Sequence, residues 1–249
     1  MGAGTGTSQA WNNPLISTQT PRFSINNPAC DCLMIVGGIG TGSKSALAAA
    51  FTEGLVVSNL TVTEVGGTGI SVAFSTNACV SDSYVAEVGG NGFEFSRVER
   101  AQLTNSRVQG YGLVLMGAAG VELDQSPAVV SHNEFTDGVQ NGGINLDCHG
   151  GCEPTTLTKN HLFNLGTLNQ YGLSDGGAIH IDNSTGLVAV TDNKVHDIRA
   201  QGFNGGGLYL DDSTTNVLCR GNLFYNLKGG VIQWNKQAIL PGGAVNISN

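Results

Sequence analysis

The chain has 249 residues, enough for one domain with a substantial core. It is 40% hydrophobic and only 12% charged, with 37 glycines and 6 prolines. A disordered chain would be richer in charge, and this much glycine without a collagen period points to many tight turns between short strands. The net charge is −8 and no Lys/Arg cluster occurs, which argues against nucleic acid or an anionic membrane as partner. No apolar run approaches the ~20 residues that span a bilayer.

In chain order, the N-terminal "MGAGTGTSQAW" lacks a basic stretch followed by an apolar one, so no signal peptide is visible. Residues 1–53 read as an N-terminal segment and the first turns of a repeat. Within it, "LMIVGGIGTGSKS" (33–45) imitates a strand feeding a phosphate loop. Ser43 stands where both GxxxxGK[ST] and GxGxxG require glycine, so nucleotide binding is set aside. The following "SALAAAF" reads as a candidate short helix. Six cysteines, at 30, 32, 79, 148, 152 and 219, lack the paired CxxC spacing of a zinc ribbon. Cys148 and Cys152 are spaced for a loop disulfide.

From residue 54 to 249 one phrase recurs. A first apolar column runs Val57, Val80, Leu103, Val130, Leu157, Val190, Cys219, in steps of 23, 23, 27, 27, 33 and 29 residues. Cys219 is here a small core hydrophobe. A second column runs Val62, Val85, Val108, Phe135, Leu162, Val195, Phe224. Between them lie Leu60, Ser83 and Ser106, then Asn133, Asn160, Asn193 and Asn222. A second motif, a small residue before an apolar–x–apolar triplet, gives Gly69-Ile-Ser-Val, Gly92-Phe-Glu-Phe, Gly112-Leu-Val-Leu, Gly143-Ile-Asn-Leu, Ala178-Ile-His-Ile and Gly207-Leu-Tyr-Leu. The period of two marks short strands with one buried face. Short strands in coils of about 23 residues, with length variation confined to the connections, describe an all-β parallel β-helix, a solenoid. Stacking identical positions about 4.8 Å apart makes the Asn column an inward amide ladder.

With this register, Asn145, His180 and Tyr209 share one outward column, and Asp147, Asp182 and Asp211 the next. Earlier coils place Ser71/Ala73, Glu94/Ser96 and Val114/Met116 there, which concentrates the acidic, imidazole and phenol groups in three coils. Stacked carboxylates repel, so at least one is expected to have a raised pKa, the raw material of acid and base roles. Glycosidases use two carboxyls, about 5–5.5 Å apart when retaining and about 6.5–9.5 Å when inverting. Asp182 with Asp211 suits the first range and Asp147 with Asp211 the second. Asp182, Asp211 and Asp147 are the candidate catalytic residues. Asn145, His180, Tyr209 and Asp212 are the candidate substrate contacts, with Asp212 alone equally suited to capping a turn. The connections 164–177 and 197–207 are placed to wall a groove. Calcium on the carboxylate ladder is the alternative occupant, and no other cofactor or metal is expected.

The stretch "DGGAIHIDNS…VTDNKVHDI…GGGLYLDDSTTNVLCRGNLFYNLKGGVIQWN" resembles the right-handed, single-stranded parallel β-helix proteins of the pectate-lyase-like superfamily. Within it, the pattern is similar to a "GaIY…NxxHDI…GIYLDD…GNxFY" group of secreted glycoside hydrolases, α-fucosidase- or xylanase-like. The resemblance is close over 175–235 and generic over 54–174. It aligns Tyr209, Asp211 and Asp212 with the group's Tyr-x-Asp-Asp, and Ala178, Ile179 and His180 with its GaIY strand, His180 replacing tyrosine. It implies a polysaccharide or oligosaccharide partner, a secreted or periplasmic location, and a fragment of a longer solenoid. The leading expectation is glycosidic-bond hydrolysis. A uronate lyase or C5-epimerase is the second, with Tyr209 and His180 as proton-transfer groups but no Arg on the proposed face. A non-catalytic carbohydrate-binding, adhesin or structural β-helix is the third.

Overall fold

The computed structural model describes residues 44–139, 142–149, 152, 154–166, 176–199 and 206–235, with the strand backbones of Ser24–Ile25, Leu33–Gly38 and Val245–Ser248. Every coil contributes one short strand to each of three parallel sheets, of nine, eight and eight strands. Sheet A contains Cys79–Ser81, Ala101–Thr104 and their counterparts; sheet B contains Tyr84–Val88 and Arg107–Gln109; sheet C contains Phe93–Ser96 and Val121–Asp124. Neighbours within each sheet come from successive coils, so the chain winds as a parallel β-solenoid, with no helix among the described residues.

The two apolar columns are paired residue for residue, Val57 through Cys219 in sheet A and Val62 through Phe224 in sheet B. With sheet C they fill one continuous core. Burying each Val, Leu or Phe contributes about 1.5–3 kcal/mol, so the repeat itself is the main source of stability.

At the corner from sheet A to sheet B the amide ladder is complete. Asn133, Asn160 and Asn193 are buried, and each accepts the backbone N–H of the preceding rung through Oδ1. Each Nδ2 donates to the backbone carbonyl of a sheet A residue one coil earlier, Leu103, Val130 and Leu157 in turn. Ser83 and Ser106 accept in the same way through a hydroxyl, which donates instead to the Ser81 and Thr104 carbonyls of its own coil. The chain turns this corner on one left-handed residue, immediately before the ladder: Asn59, Asp82, Asn105, His132, Lys159, Asp192 and finally Gly221, all with φ between 49° and 64°. A comparable left-handed residue follows sheet C at Phe51, Phe74, Arg97, Gln125 and Asn183. Sheet C therefore ends at the position that carries the aspartates.

Three sequence expectations are corrected here. "SALAAAF" contains the sheet C strand Leu47–Ala50, not a helix: Leu47 and Ala49 alternate inward and pair with Ile70 and Val72. Gly112-Leu-Val-Leu is not the fourth sheet C strand. The strand is Val121–Asp124, paired with Phe93–Ser96 on one side and Ile144–Asp147 on the other. Residues 112–115 form a loop whose backbone N–H groups bond to Val88, Gly89 and Gly90, leaving Leu113, Val114 and Met116 exposed. Val121 and Leu123 fill the core completely where Leu113 and Leu115 had been expected. Finally, Cys148 and Cys152 are free buried thiols rather than a disulfide.

Candidate functional site

The outer face of sheet C carries two polar columns. Register places Glu94, Glu122, Asn145, His180, Tyr209 and Gln233 in one. The other runs Ser96, Asp124, Asp147 and Asp182, continued by Asp211, whose N–H bonds to the Ile181 carbonyl. Sequence reasoning placed Asn145, His180, Tyr209, Asp147, Asp182 and Asp211 as found. It missed Glu122 and Asp124, because Val114 and Met116 had been put in their places. The signal was present: Leu123 precedes Val130 by about the distance that separates Val72 from Val80, whereas Leu115 stands roughly twice as far away.

Each carboxylate meets a different environment. Asp124 accepts from Ser96 Oγ at 2.8 Å and Gln125 Nε2 at 3.3 Å. Asp147 lies 3.1 Å from His149 Nε2. Glu122 is held by the Asn145 amide, 2.8 Å from both carboxyl oxygens. Burial nevertheless dominates there and, with Glu94, Asp147 and Asp124 repelling, pushes Glu122 up to about 7. Asp182 Oδ1 is buried with no hydrogen-bond partner among the described residues. Burial, then the charges of Asp147, Asp211 and Asp212, push Asp182 up to about 6. Asp211 goes the other way. Burial raises it, but the Asp212 backbone N–H, the Asn235 amide, the His180 imidazole and the Tyr209 hydroxyl together hold it below its ordinary value. The Asp212 N–H and Asn235 Nδ2 each lie 2.9 Å from Asp211 Oδ1, and His180 Nε2 lies 3.4 Å from Oδ2.

His180 and Tyr209 stack with ring centroids 4.9 Å apart and 21° between planes. Tyr209 faces outward from the solenoid yet is fully covered, as is the whole strand Gly206–Leu210. The ring expected as a substrate contact is therefore not an open surface; one of its faces stacks on His180. Gly177 permits the packing, since a Cβ there would stand 3.0 Å from the Tyr209 Cβ. Asp212 is exposed in the turn that follows Asp211, where Thr214 N–H bonds back to the Asp211 carbonyl. Most of the expected groove walls, 167–175 and 200–205, lie outside the described residues.

The face therefore holds two adjacent carboxyls with opposed proton affinities, an imidazole against one of them, and a neutral amide two rungs away. None of the register positions in these columns is Lys or Arg. Such a surface can donate and accept protons and can bind hydroxyl-rich ligands, and among the described residues its columns present no Lys or Arg to an anionic one.

No curated protein sequence matches the chain. Among solved structures, an alginate lyase from Paenibacillus sp. str. FPU-7 superposes with a TM-score of 0.54 at 12% identity, over 92% of this chain and 87% of that one. At that identity the likeness is one of fold. The family model described as "Right handed beta helix region" matches residues 45–224, the span in which the three sheets and their ladders were traced, and the chain belongs to that right-handed β-helix family.

Proposed function

We propose that the protein is a glycoside hydrolase acting on a neutral polysaccharide or oligosaccharide laid along the outer face of sheet C. The observation that carries this reading is the split between Asp182, pushed up to about 6, and Asp211, held below its ordinary value, on adjacent rungs. Two carboxyls whose surroundings drive their proton affinities apart are what acid and base assignments require. Asp182 is then the general acid: near neutral pH it retains a protonated fraction. Asp211 is the ionised partner, oriented through both oxygens by Asn235, the Asp212 N–H and His180. Adjacent rungs are about 4.8 Å apart, close to the separation of about 5–5.5 Å in retaining enzymes.

In this mechanism Asp211 attacks the anomeric carbon while Asp182 protonates the departing glycosidic oxygen. Asp182, now ionised, then takes a proton from the water that releases the sugar from Asp211. Asn145 and His180 contact sugar hydroxyls, and Tyr209 backs the imidazole. The resemblance to the GIYLDD-type hydrolases supports Asp211, with Tyr209 and His180 beside it, and does not extend to Asp182 or Asn145. The reading calls for no cofactor; calcium on the Asp ladder would show as a calcium-dependent rise in melting temperature.

A second reading is a polysaccharide lyase, favoured by the stacked His180–Tyr209 pair and by the structural neighbour, an alginate lyase. The acidic face disfavours it, because proton abstraction beside a uronate carboxylate needs that carboxylate neutralised, and the described columns carry no Lys or Arg to do so. The test is a panel of neutral and uronic polysaccharides assayed for reducing ends and for the ultraviolet absorbance of an unsaturated product. Reducing ends without the chromophore, abolished in Asp182→Asn and Asp211→Asn, support the hydrolase. The chromophore supports the lyase. Binding without turnover leaves a non-catalytic carbohydrate-binding solenoid.

A further inference from the structure

The outer face of sheet B, away from the Asp columns, carries a separate cluster. Glu134, His161 and Lys194 stand in register on successive coils, and beside them Phe163, His196 and Tyr225. His161 and His196 are offset diagonally, and their Nε2 atoms lie 2.8 Å apart. On the far side of each ring is a carboxylate. His196 Nδ1 is 2.7 Å from Asp197 Oδ2, and His161 Nδ1 is 3.8 Å from Glu134 Oε2. A carboxylate can only accept, so neutral His196 carries its proton on Nδ1 and turns the Nε2 lone pair toward His161. His161 then donates its Nε2–H into that lone pair.

Two imidazoles that point their Nε2 atoms at a common place, each with Nδ1 toward a carboxylate, form the arrangement by which proteins orient histidines for a metal. We propose that His161 and His196 form a two-imidazole site for a divalent transition-metal ion of the zinc, nickel and copper class, which replaces the proton they now share. Imidazole suits these ions. On binding, the His161 proton moves through solvent from Nε2 to Nδ1, where it faces Glu134; both rings stay neutral and no net proton is released. A tetrahedral ion with bonds of about 2.0–2.1 Å sets its two nitrogens about 3.3 Å apart, so the rings must separate by about half an ångström. The rings are otherwise held for the task. Phe163 stacks 4.5 Å from His161 and 5.4 Å from His196, and Tyr225 stacks 4.6 Å from His196.

Access is open. The His161 side chain is 34% exposed, and it lines a surface groove of about 620 Å³ together with Glu134 and Lys159. Water completes the coordination, since no group of three or more His, Cys, Asp and Glu is arranged to hold an ion among the described residues. Two cations stand nearby: Arg107 is paired with Glu134 at 3.0 Å, and the Lys194 ammonium lies 6.0 Å over the Tyr225 ring. No linear motif signals the pair, because the two histidines occupy different positions in their strands, HLFNL and KVHDI.

The experiment is calorimetric titration of the full chain with Ni²⁺ and Zn²⁺, with far-UV circular dichroism to confirm folding. The expected result is one ion bound with micromolar affinity. His161→Ala and His196→Ala, and the more conservative His161→Gln and His196→Gln, each weaken it at least tenfold. His149→Ala, which removes an exposed imidazole beside Asp147, leaves it unchanged. The proposal is overturned if the wild-type chain binds neither ion, or if folded His161 and His196 variants keep the wild-type affinity.

Discussion

Replacing Asp182 by Asn should make the protein more stable and less active at the same time, and the stability gain should depend on pH. The carboxyl is pushed from 3.8 to about 6, first by burial and then by Asp147, Asp211 and Asp212. For an acid, a raised pKa in the fold means that the unfolded chain is the better place for the charge. The cost is absent below the unfolded value, grows as pH rises between the two values, and is constant above the folded one. At about 1.4 kcal/mol per unit the shift amounts to roughly 3 kcal/mol, and partial exposure to solvent reduces this to about 1–2 kcal/mol. Asn keeps the shape and removes the charge. Urea denaturation followed by far-UV circular dichroism should therefore show Asp182→Asn more stable by about 1–2 kcal/mol at pH 7.5, with the gain fading to nothing near pH 4. On the hydrolase reading, the same variant loses about 10²–10⁴-fold in kcat because it cannot donate a proton. A stability difference that is flat across pH, or a loss of stability at pH 7.5, would refute the reasoning about the ladder.

Glu122→Gln should behave alike, with a gain of about 2 kcal/mol at pH 8 that disappears below the ordinary carboxylate range, one Asn145 hydrogen bond being given up in exchange. Asn160→Ala should cost about 3–5 kcal/mol in the same denaturation experiment, because it strips partners from the Asn133 N–H and amide and from the Val130 carbonyl, all inside the wall. The corrected register predicts that Leu123→Ala costs about 2–5 kcal/mol while Leu113→Ala stays within about 0.5 kcal/mol; comparable losses at both positions would contradict it.

Sheets A and B were legible in the sequence because every coil repeats the same phrase, Val–x–x–Asn–x–Val in its fullest form, and the core tolerates few substitutes. Sheet C was legible only where its glycine-led triplet had no competitor. Gly112-Leu-Val-Leu satisfies the same local pattern as Gly120-Val-Glu-Leu, and alternation alone does not distinguish a strand from a loop that happens to alternate. The left-handed corners carry a signal that went unread: Asn59, Asp82, Asn105, His132, Asp192 and Gly221 are types enriched in that conformation, and Lys159 is the exception. The diagonal approach of His161 to His196, 35 residues apart, joins two different columns of adjacent coils, and a column read one position at a time does not contain it.

The two ladders of this solenoid follow from one geometry with opposite signs. Stacking an amide on an amide satisfies a donor and an acceptor on every rung, so the Asn column gains from each repeat. Stacking carboxylate on carboxylate adds repulsion on every rung, and the Asp column is relieved only by what lies beside it. Asp124 has Ser96 and Gln125, Asp147 has His149, and Asp211 has Asn235, the Asp212 N–H and His180. Asp182 sits between two of these with one oxygen buried and unbonded. Burial, and then the charges of Asp147, Asp211 and Asp212, fall on Asp182, while Asp211 is held below its ordinary value. The raised proton affinity therefore falls on a buried rung flanked by carboxylates and poor in donors, and on the hydrolase reading that rung is the acid.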